Sequence, residues 1–325
     1  MDIIATIGPA GLAQDRIDAL IQAGATIFRI NGAHTPAPAA VQIITELRRL
    51  AGSRARIMMD LPTNKVRTAN MTEPIVFEAG DSFQLHPFQL NYPELHRFAR
   101  VGDEVVVNNG LNHMRISALR DGTIELRADA PGRLGNNRGL IFTREVHTPD
   151  FPYFFPADEE LIEVINDLQL ELVGLSFLRY PSDKEEALRR IRRRDSLVFK
   201  IETRVAFANY AQLIFPGERI LLDRGDLAGE IGLIHIPQAQ DRIIRFAHRH
   251  RVEIYLATQF LASMESFPVP HIAEVCALYD TIKLGISGIQ LSEETAVGKY
   301  PAKAIEWIRR IEALVHEEGN LNLAR

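Results

Sequence analysis

Short β-branched runs alternate along this chain with amphipathic segments, and that alternation constrains the fold more than any other feature. The runs are "IIATIG" (3–8), "ATIFRI" (25–30), "ARIMMD" (55–60), "LVGLSF" (172–177), "LVFKIE" (197–202), "RILLDRGD" (219–226), "EIYLAT" (253–258) and "GISGIQL" (285–291). "AQDRIDALIQAG" follows the first and "PAKAIEWIRRIEALVHEE" the last, each with apolar residues at helical spacing. A helix between two strands carries the chain back across the sheet, so successive strands run parallel. Eight such units predict a (β/α)₈ TIM barrel, an α/β fold, rather than an open doubly wound sheet. At 325 residues, 46% hydrophobic and 24% charged, the chain has the apolar material for a core of that size.

The rhythm breaks once, between about Thr68 and His147. There "VVVNNGLNHMRI" and "RISALRDGTIELRA" alternate with the period of a strand around Asn-Gly and Asp-Gly, which suit tight hairpin turns. This predicts a small all-β lid domain at 68–147, inserted after the third strand of a barrel formed by 1–67 and 148–325. "PDFPYFFPADEE" then reads as a proline-rich return link, with "ADEE" opening a helix.

A net charge of −5 offers no whole-chain attraction to nucleic acid or to anionic membrane. The single cysteine, Cys276, makes no internal disulfide, and the N-terminus has neither a basic nor a long apolar leader. No apolar run approaches the ~20 residues of a membrane span. A cytoplasmic protein acting on small molecules is expected, and a homo-oligomer is compatible with it. The cationic run "LRRIRRRD" (188–195) falls at the end of a helical pattern, where cations suit the helix dipole.

Barrel active sites lie at the C-terminal ends of the strands, so the residues there carry the functional reading. Strand two ends in Arg29 and Asn31, strand three in Asp60, with Lys65 and Arg67 beyond, and strand four in Ser176 with Arg179 beyond. Strand five ends in Lys200 and Glu202, strand six in Arg224 and Asp226, strand seven in Thr258 and Gln259, and strand eight in Ser292 and Glu294. Gathering so many ionisable groups at one rim is costly without a task. Glu202 and Asp226, at the ends of adjacent strands about 5 Å apart, can converge on one divalent cation, Mg²⁺ or Mn²⁺. Side chains alternate, so Lys200 shares the face of Glu202 and can stabilise negative charge beside that ion. The amides of "RGDLAG", with Gly225, open the next helix and suit a carboxylate, while Thr258 offers a hydroxyl for proton delivery.

These residues sit in segments that resemble the pyruvate kinase family, in order: "IIATIGPA", "FRINGAH", "MDLPTNKVRT", "GDEVVVNNG", "SFLR", "KIETR", "RGDLAGEI", "ATQFLASM" and "LSEETAVGKYP". The resemblance implies a barrel with a mobile lid, and transfer of the phosphoryl group of phosphoenolpyruvate to ADP followed by protonation of the enolate to pyruvate. It implies Lys200 as the catalytic lysine, Glu202 and Asp226 as Mg²⁺ ligands, and Thr258 as the residue beside the carbon that gains a proton. Arg29, His34 and Arg67 then surround the nucleotide and the transferred phosphate, and Asn31 and Asp60 form part of a monovalent-cation (K⁺) site. ATP is the nucleotide product.

The departures fall around that core. The family continues into a C-terminal α/β domain with effector and tetramer contacts, and this sequence ends soon after its eighth helix, so allosteric control of that kind is not expected. Ala33 replaces a serine of the K⁺ site, Thr63-Asn64 replaces Gly-Pro at the lid hinge, Asn108-Asn109-Gly110 replaces Asp-Asp-Gly, and "PHIAE" loses an interface arginine. Asp223 stands where the family has alanine or glycine, close to the expected substrate carboxylate, where like charges repel. The leading expectation is pyruvate-kinase-type chemistry on phosphoenolpyruvate or a related 2-oxo acid. An aldolase or lyase using a pyruvate enolate, and a non-catalytic metabolite-binding homologue, are the alternatives.

Overall fold

The computed structural model describes residues 1–8, 11–107 and 112–323; Asn108, Asn109 and Gly110 lie outside the described residues. The chain opens with β1 (Asp2–Thr6), α1 (Gln14–Ala23), β2 (Ile27–Asn31), α2 (Ala37–Ala51) and β3 (Arg56–Leu61). An inserted run follows: β4 (Ile75–Phe77), β5 (Ser82–Leu85), β6 (Glu104–Val107), β7 (Asn112–Arg120), β8 (Thr123–Ala128), β9 (Gly132–Leu134) and β10 (Ile141–Phe142). The βα rhythm then resumes with α3 (Pro156–Asp167), β11 (Leu172–Leu175), α4 (Pro181–Arg190), β12 (Leu197–Ile201), α5 (Arg204–Leu213) and β13 (Arg219–Asp223). The chain completes the circuit with α6 (Arg224–Ile231), α7 (Ile236–His250), β14 (Glu253–Ala257), α8 (Ile272–Lys283), β15 (Gly288–Leu291), α9 (Glu293–Ala296) and α10 (Pro301–Leu323).

The eight parallel strands close in the order β1-β15-β14-β13-β12-β11-β3-β2, the (β/α)₈ barrel that the alternation predicts. The helices bury one stripe each. Helix α7 turns Ala239, Ile243, Ile244 and Ala247 inward, a spacing of four, one and three that keeps one face apolar. Inside the barrel Ile4, Ile27, Met58, Leu172, Val198, Leu221, Tyr255 and Ala257 form a single buried cluster. Side chains alternate along a strand, so the residues two further on share that inward face. They are Thr6, Arg29, Asp60, Gly174, Lys200 and Asp223 on β1, β2, β3, β11, β12 and β13. The packing of the apolar layer thus commits a layer of charge to the C-terminal mouth.

The sixth strand is shorter than its sequence suggests. "RILLDRGD" leaves the sheet at Asp223, and α6 begins at the next residue, so Asp226 sits in the first helical turn rather than on the strand. The physical cause is the Asp223 carboxylate, which accepts the Gly225 amide at 3.2 Å and reaches that of Asp226 at 3.5 Å, capping the turn.

The chain divides into two compact units: Met1–Pro62, Ala157–Ala228 and Ile234–Arg325 in one, and Thr63–Pro156 with Gly229–Leu233 in the other. The second takes in residues beyond 68–147 at both ends. Arg67 bridges to Gly139, and Phe151 and Phe155 are buried with its core. Its main sheet runs β10-β6-β7-β8-β5, with β4 and β9 as a separate pair. The β7–β8 turn is Asp121-Gly122, both at positive φ (49° and 81°), as a type I′ hairpin requires. Thr63 adopts a φ of 48°, where a β-branched residue is strained and glycine would be relaxed.

The cationic run resolves as a helix end. Arg189 and Arg190 occupy the last turn of α4 and pair with Glu186 and Glu159. Among the described residues no helix is long and apolar enough to cross a membrane.

The inserted unit gathers Tyr92, Phe98 and Phe155 around Phe151, with ring centroids 4.7–6.1 Å from it. Phe151→Ala empties the centre of this group and is expected to cost the unit about 3–5 kcal/mol. Limited proteolysis should then cut within Thr63–Pro156 well before the barrel melts in calorimetry.

Candidate active site at the barrel mouth

Lys200 occupies the centre of the mouth, 4% exposed. Its Nζ lies 2.9 Å from Glu202 Oε2, 3.6 Å from Asp60 Oδ2, 3.6 Å from Asp223 Oδ2 and 3.5 Å from Ser176 Oγ. Burial by itself would lower its pKa, but the Glu202, Asp60 and Asp223 carboxylates hold it well above the usual lysine value. Lys200 is a permanent cation here. Arg29, also buried, donates from Nε to Asp60 Oδ2 at 2.8 Å and from Nη1 to Thr6 Oγ1 at 3.1 Å.

Glu202 stands at the joint between β12 and α5, where the Thr203 hydroxyl accepts the Ala206 amide at 3.1 Å and starts the helix. Its carboxylate is completely buried, and Oε1 accepts the Phe177 amide at 2.8 Å. Oε2 has the Lys200 ammonium beside it but no well-aligned hydrogen bond. Desolvation pushes the Glu202 carboxyl up to about 7, with the Asp226 and Asp223 carboxylates adding to the rise against the pull of Lys200.

Glu202, Asp223 and Asp226 each place a carboxylate oxygen within 4.8 Å of the others. With Asp60 that makes four carboxylates around two cations, Lys200 and Arg29. Hard oxygen donors in that number, one of them an under-bonded oxygen on Glu202, fit a divalent cation such as Mg²⁺ or Mn²⁺.

Asp223 does not turn to its neighbour in the chain. Oδ1 accepts the Thr258 hydroxyl at 2.7 Å and the Gly225 amide, while Oδ2 faces Lys200. Burial would raise its pKa, but Lys200, the Thr258 hydroxyl and Arg29 together hold it below the usual aspartate value. Arg224 instead donates to the carbonyls of Ala257 and Thr258 and lies 4.0 Å above the Phe260 ring. It thereby clamps the end of β14, where Thr258 and Gln259 both take positive φ (76° and 55°). Backbone strain of this kind, held by its surroundings, gathers at functional sites.

The mouth thus brings together Arg29, Asp60, Ser176, Lys200, Glu202, Asp223, Gly225, Asp226 and Thr258. Asn31 turns its Oδ1 to the Ala33 amide at 3.2 Å, and His34 is exposed in the turn that follows. Arg67 belongs to the second unit. Glu294 is occupied locally, accepting the Ser292 amide at 2.9 Å.

Three contributors carry no signal as isolated letters. Thr6 anchors Arg29. Gly174 makes room for Asp60, whose Oδ1 would lie 2.0 Å from a Cβ at that position. Gln290, 1% exposed on β15, has neither its amide nitrogen nor its oxygen hydrogen-bonded. It pairs in register with Ala257, which pairs with Asp223, so it lies in the same row as the carboxylate cluster. Inward parity from Ile4 and Leu172 could have flagged the first two.

The closed barrel carries an acidic cluster at its mouth, the end at which enzymes of the parallel-barrel class hold their active sites. The family model for the barrel domain of pyruvate kinase matches residues 1–305. The pyruvate kinase of Aeropyrum pernix is 27% identical over 327 residues, covering 97% of this chain and 71% of that protein. Those of Methylorubrum extorquens and Thermotoga maritima are each 28% identical, covering 98% and 95% of this chain and 69% of each relative. The chain belongs to the pyruvate kinase family, a family of phosphotransferases.

Two outcomes follow from this geometry. Because its folded pKa is raised, Glu202 lends stability that is fully present below its ordinary value of 4.5 and lost as pH rises through about 7. Metal-free protein should therefore lose melting temperature across that window, and the gain on adding Mg²⁺ should grow across the same window. Gln290→Met removes two unpaired polar groups at nearly constant volume and is expected to raise stability by about 1–3 kcal/mol, read from the denaturant midpoint.

Proposed function

We propose that this protein is a Mg²⁺-dependent phosphotransferase of pyruvate-kinase type, passing the phosphoryl group of phosphoenolpyruvate to ADP. The observation that carries the reading is the Lys200 ammonium held among the Glu202, Asp60 and Asp223 carboxylates at the mouth of a pyruvate kinase barrel. In this reaction the bond from phosphorus to the enol oxygen breaks, and a bond from phosphorus to a β-phosphate oxygen of ADP forms. The enolate left behind takes a proton at its methylene carbon and becomes pyruvate, while ATP leaves.

Glu202 and Asp226 are the residues that would hold Mg²⁺ or Mn²⁺, with Asp223 the nearest third carboxylate. Bound there, the ion would polarise substrate oxygens. Lys200, a permanent cation, stabilises charge on the transferring group and on the enol oxygen. Arg29, fixed by Asp60 and Thr6, supplies a second positive charge toward the phosphate. Thr258 relays the proton, with Ser176 and Gly225 lining the substrate side. His34 and Arg67 are assigned to the nucleotide. Both cation contacts of Asp60, to Arg29 and to Lys200, use Oδ2, and its buried Oδ1 has no hydrogen bond, so Oδ1 is the oxygen that a K⁺ ion shared with Asn31 would use; the reading does not depend on K⁺.

Phosphoenolpyruvate and ADP supplied with Mg²⁺ should yield pyruvate and ATP in equal amounts. Lys200→Ala should lower kcat by at least about 100-fold with far less effect on nucleotide affinity, because the charge acts in the transition state. No pyruvate from any nucleoside diphosphate at high enzyme concentration, with Mg²⁺ and K⁺ both present, would sink the proposal.

A further inference from the structure

Three donors converge on one carboxylate oxygen at the edge of the mouth. Asp223 Oδ1 accepts the Thr258 hydroxyl at 2.7 Å, the Gly225 amide at 3.2 Å and, at the limit of a hydrogen bond, the Asp226 amide at 3.5 Å. Its Oδ2 lies 3.6 Å from the Lys200 ammonium, and the side chain is 13% exposed. Helix N-terminal amides, a hydroxyl and a nearby ammonium are the groups that receive a small carboxylate. The seat is built for close approach. A Cβ at residue 225 would meet Thr258 Cγ2 at 2.7 Å, so only glycine there lets the Thr258 side chain lie against the helix start. Thr258 itself is held at a strained φ of 76° with its carbonyl taken by Arg224. Independently of the helix terminus, the fully buried Glu202 Oε2 facing the same cluster has no aligned hydrogen bond.

We propose that Asp223 is a specificity-determining residue whose carboxylate fills this anion seat, so that a substrate carboxylate binds only by displacing it. The chain supplies from its own side chain the carboxylate that a 2-oxo acid would bring. Two effects then oppose an incoming carboxylate. The donors are already satisfied, and three further carboxylates, those of Asp60, Glu202 and Asp226, stand in the same mouth. A carboxylate substrate must break three hydrogen bonds to make its own, and it does so against like charge. In a site used as proposed above, Asp223 sets the apparent affinity for the carboxylate end of the substrate.

The seat assignment rests on the mouth being the substrate site, and oxalate binding tests it without turnover. Oxalate is titrated by calorimetry into wild type, Asp223→Ala and Asp223→Asn, each at a Mg²⁺ concentration that saturates it, so a change in metal affinity does not enter. Asp223→Ala empties the seat and should bind oxalate at least about 10-fold tighter than wild type. Asp223→Asn keeps an acceptor in the seat but removes its charge and should gain less. Equal or weaker oxalate binding by the alanine variant would overturn the assignment, and so would an asparagine gain as large as that of alanine. Should the alanine variant fail to fold by circular dichroism, the asparagine variant decides: no gain in oxalate affinity overturns the proposal. If phosphoenolpyruvate is turned over, the alanine variant should show a lower KM. If no variant turns it over but oxalate binding tightens, the seat stands and the phosphotransfer reading fails.

Discussion

The buried ammonium of Lys200 is the interaction on which the mouth of this barrel depends. Four carboxylates crowd a space lined below by Ile4, Val198, Leu221 and Ala257, and burying that much like charge without a partner would be prohibitive. Lys200 sits within 3.6 Å of Asp60, Glu202 and Asp223 at once. Arg29 takes the remaining share of Asp60. The outcome is a cluster of carboxylates held together by two buried cations.

Around this centre the backbone is arranged to serve the side chains. Glycine at 174 gives way to Asp60, glycine at 225 lets Thr258 approach, and Arg224 spends its guanidinium on two carbonyls so that the left-handed turn at Thr258 and Gln259 persists. Asp223 links the parts. One oxygen caps α6 and binds Thr258, and the other faces Lys200, so a single side chain couples the helix start, the strained turn and the charge cluster.

Much of this was legible in the order of residues. The eight βα units predicted a closed parallel barrel, and the period of two along "LVFKIE" put Lys200 and Glu202 on one face. The sixth strand stops at Asp223 rather than running on to Asp226, because the Asp223 carboxylate caps the turn at Gly225, a contact that the order of residues does not show. Gly174 and Thr6 escaped notice for a related reason: a glycine or threonine inside an apolar strand looks like core until the facing side chain is known. Gln290 is the converse, a polar letter on a buried row whose lack of partners only packing reveals.

Sequence alone determined the barrel, the position of the inserted β segment and the set of ionisable residues at the strand ends, since these depend on periodicity, turn residues and parity, all of them local properties. Tertiary structure alone decided which charges face each other. Asp223 pairs with Lys200 and Thr258 rather than with adjacent Arg224, and Asn31 caps its own turn while Asp60 is taken by Arg29. Those pairings span up to 35 residues in the chain and depend on how the closing strands bring their ends together, a distance that no short window of sequence encodes.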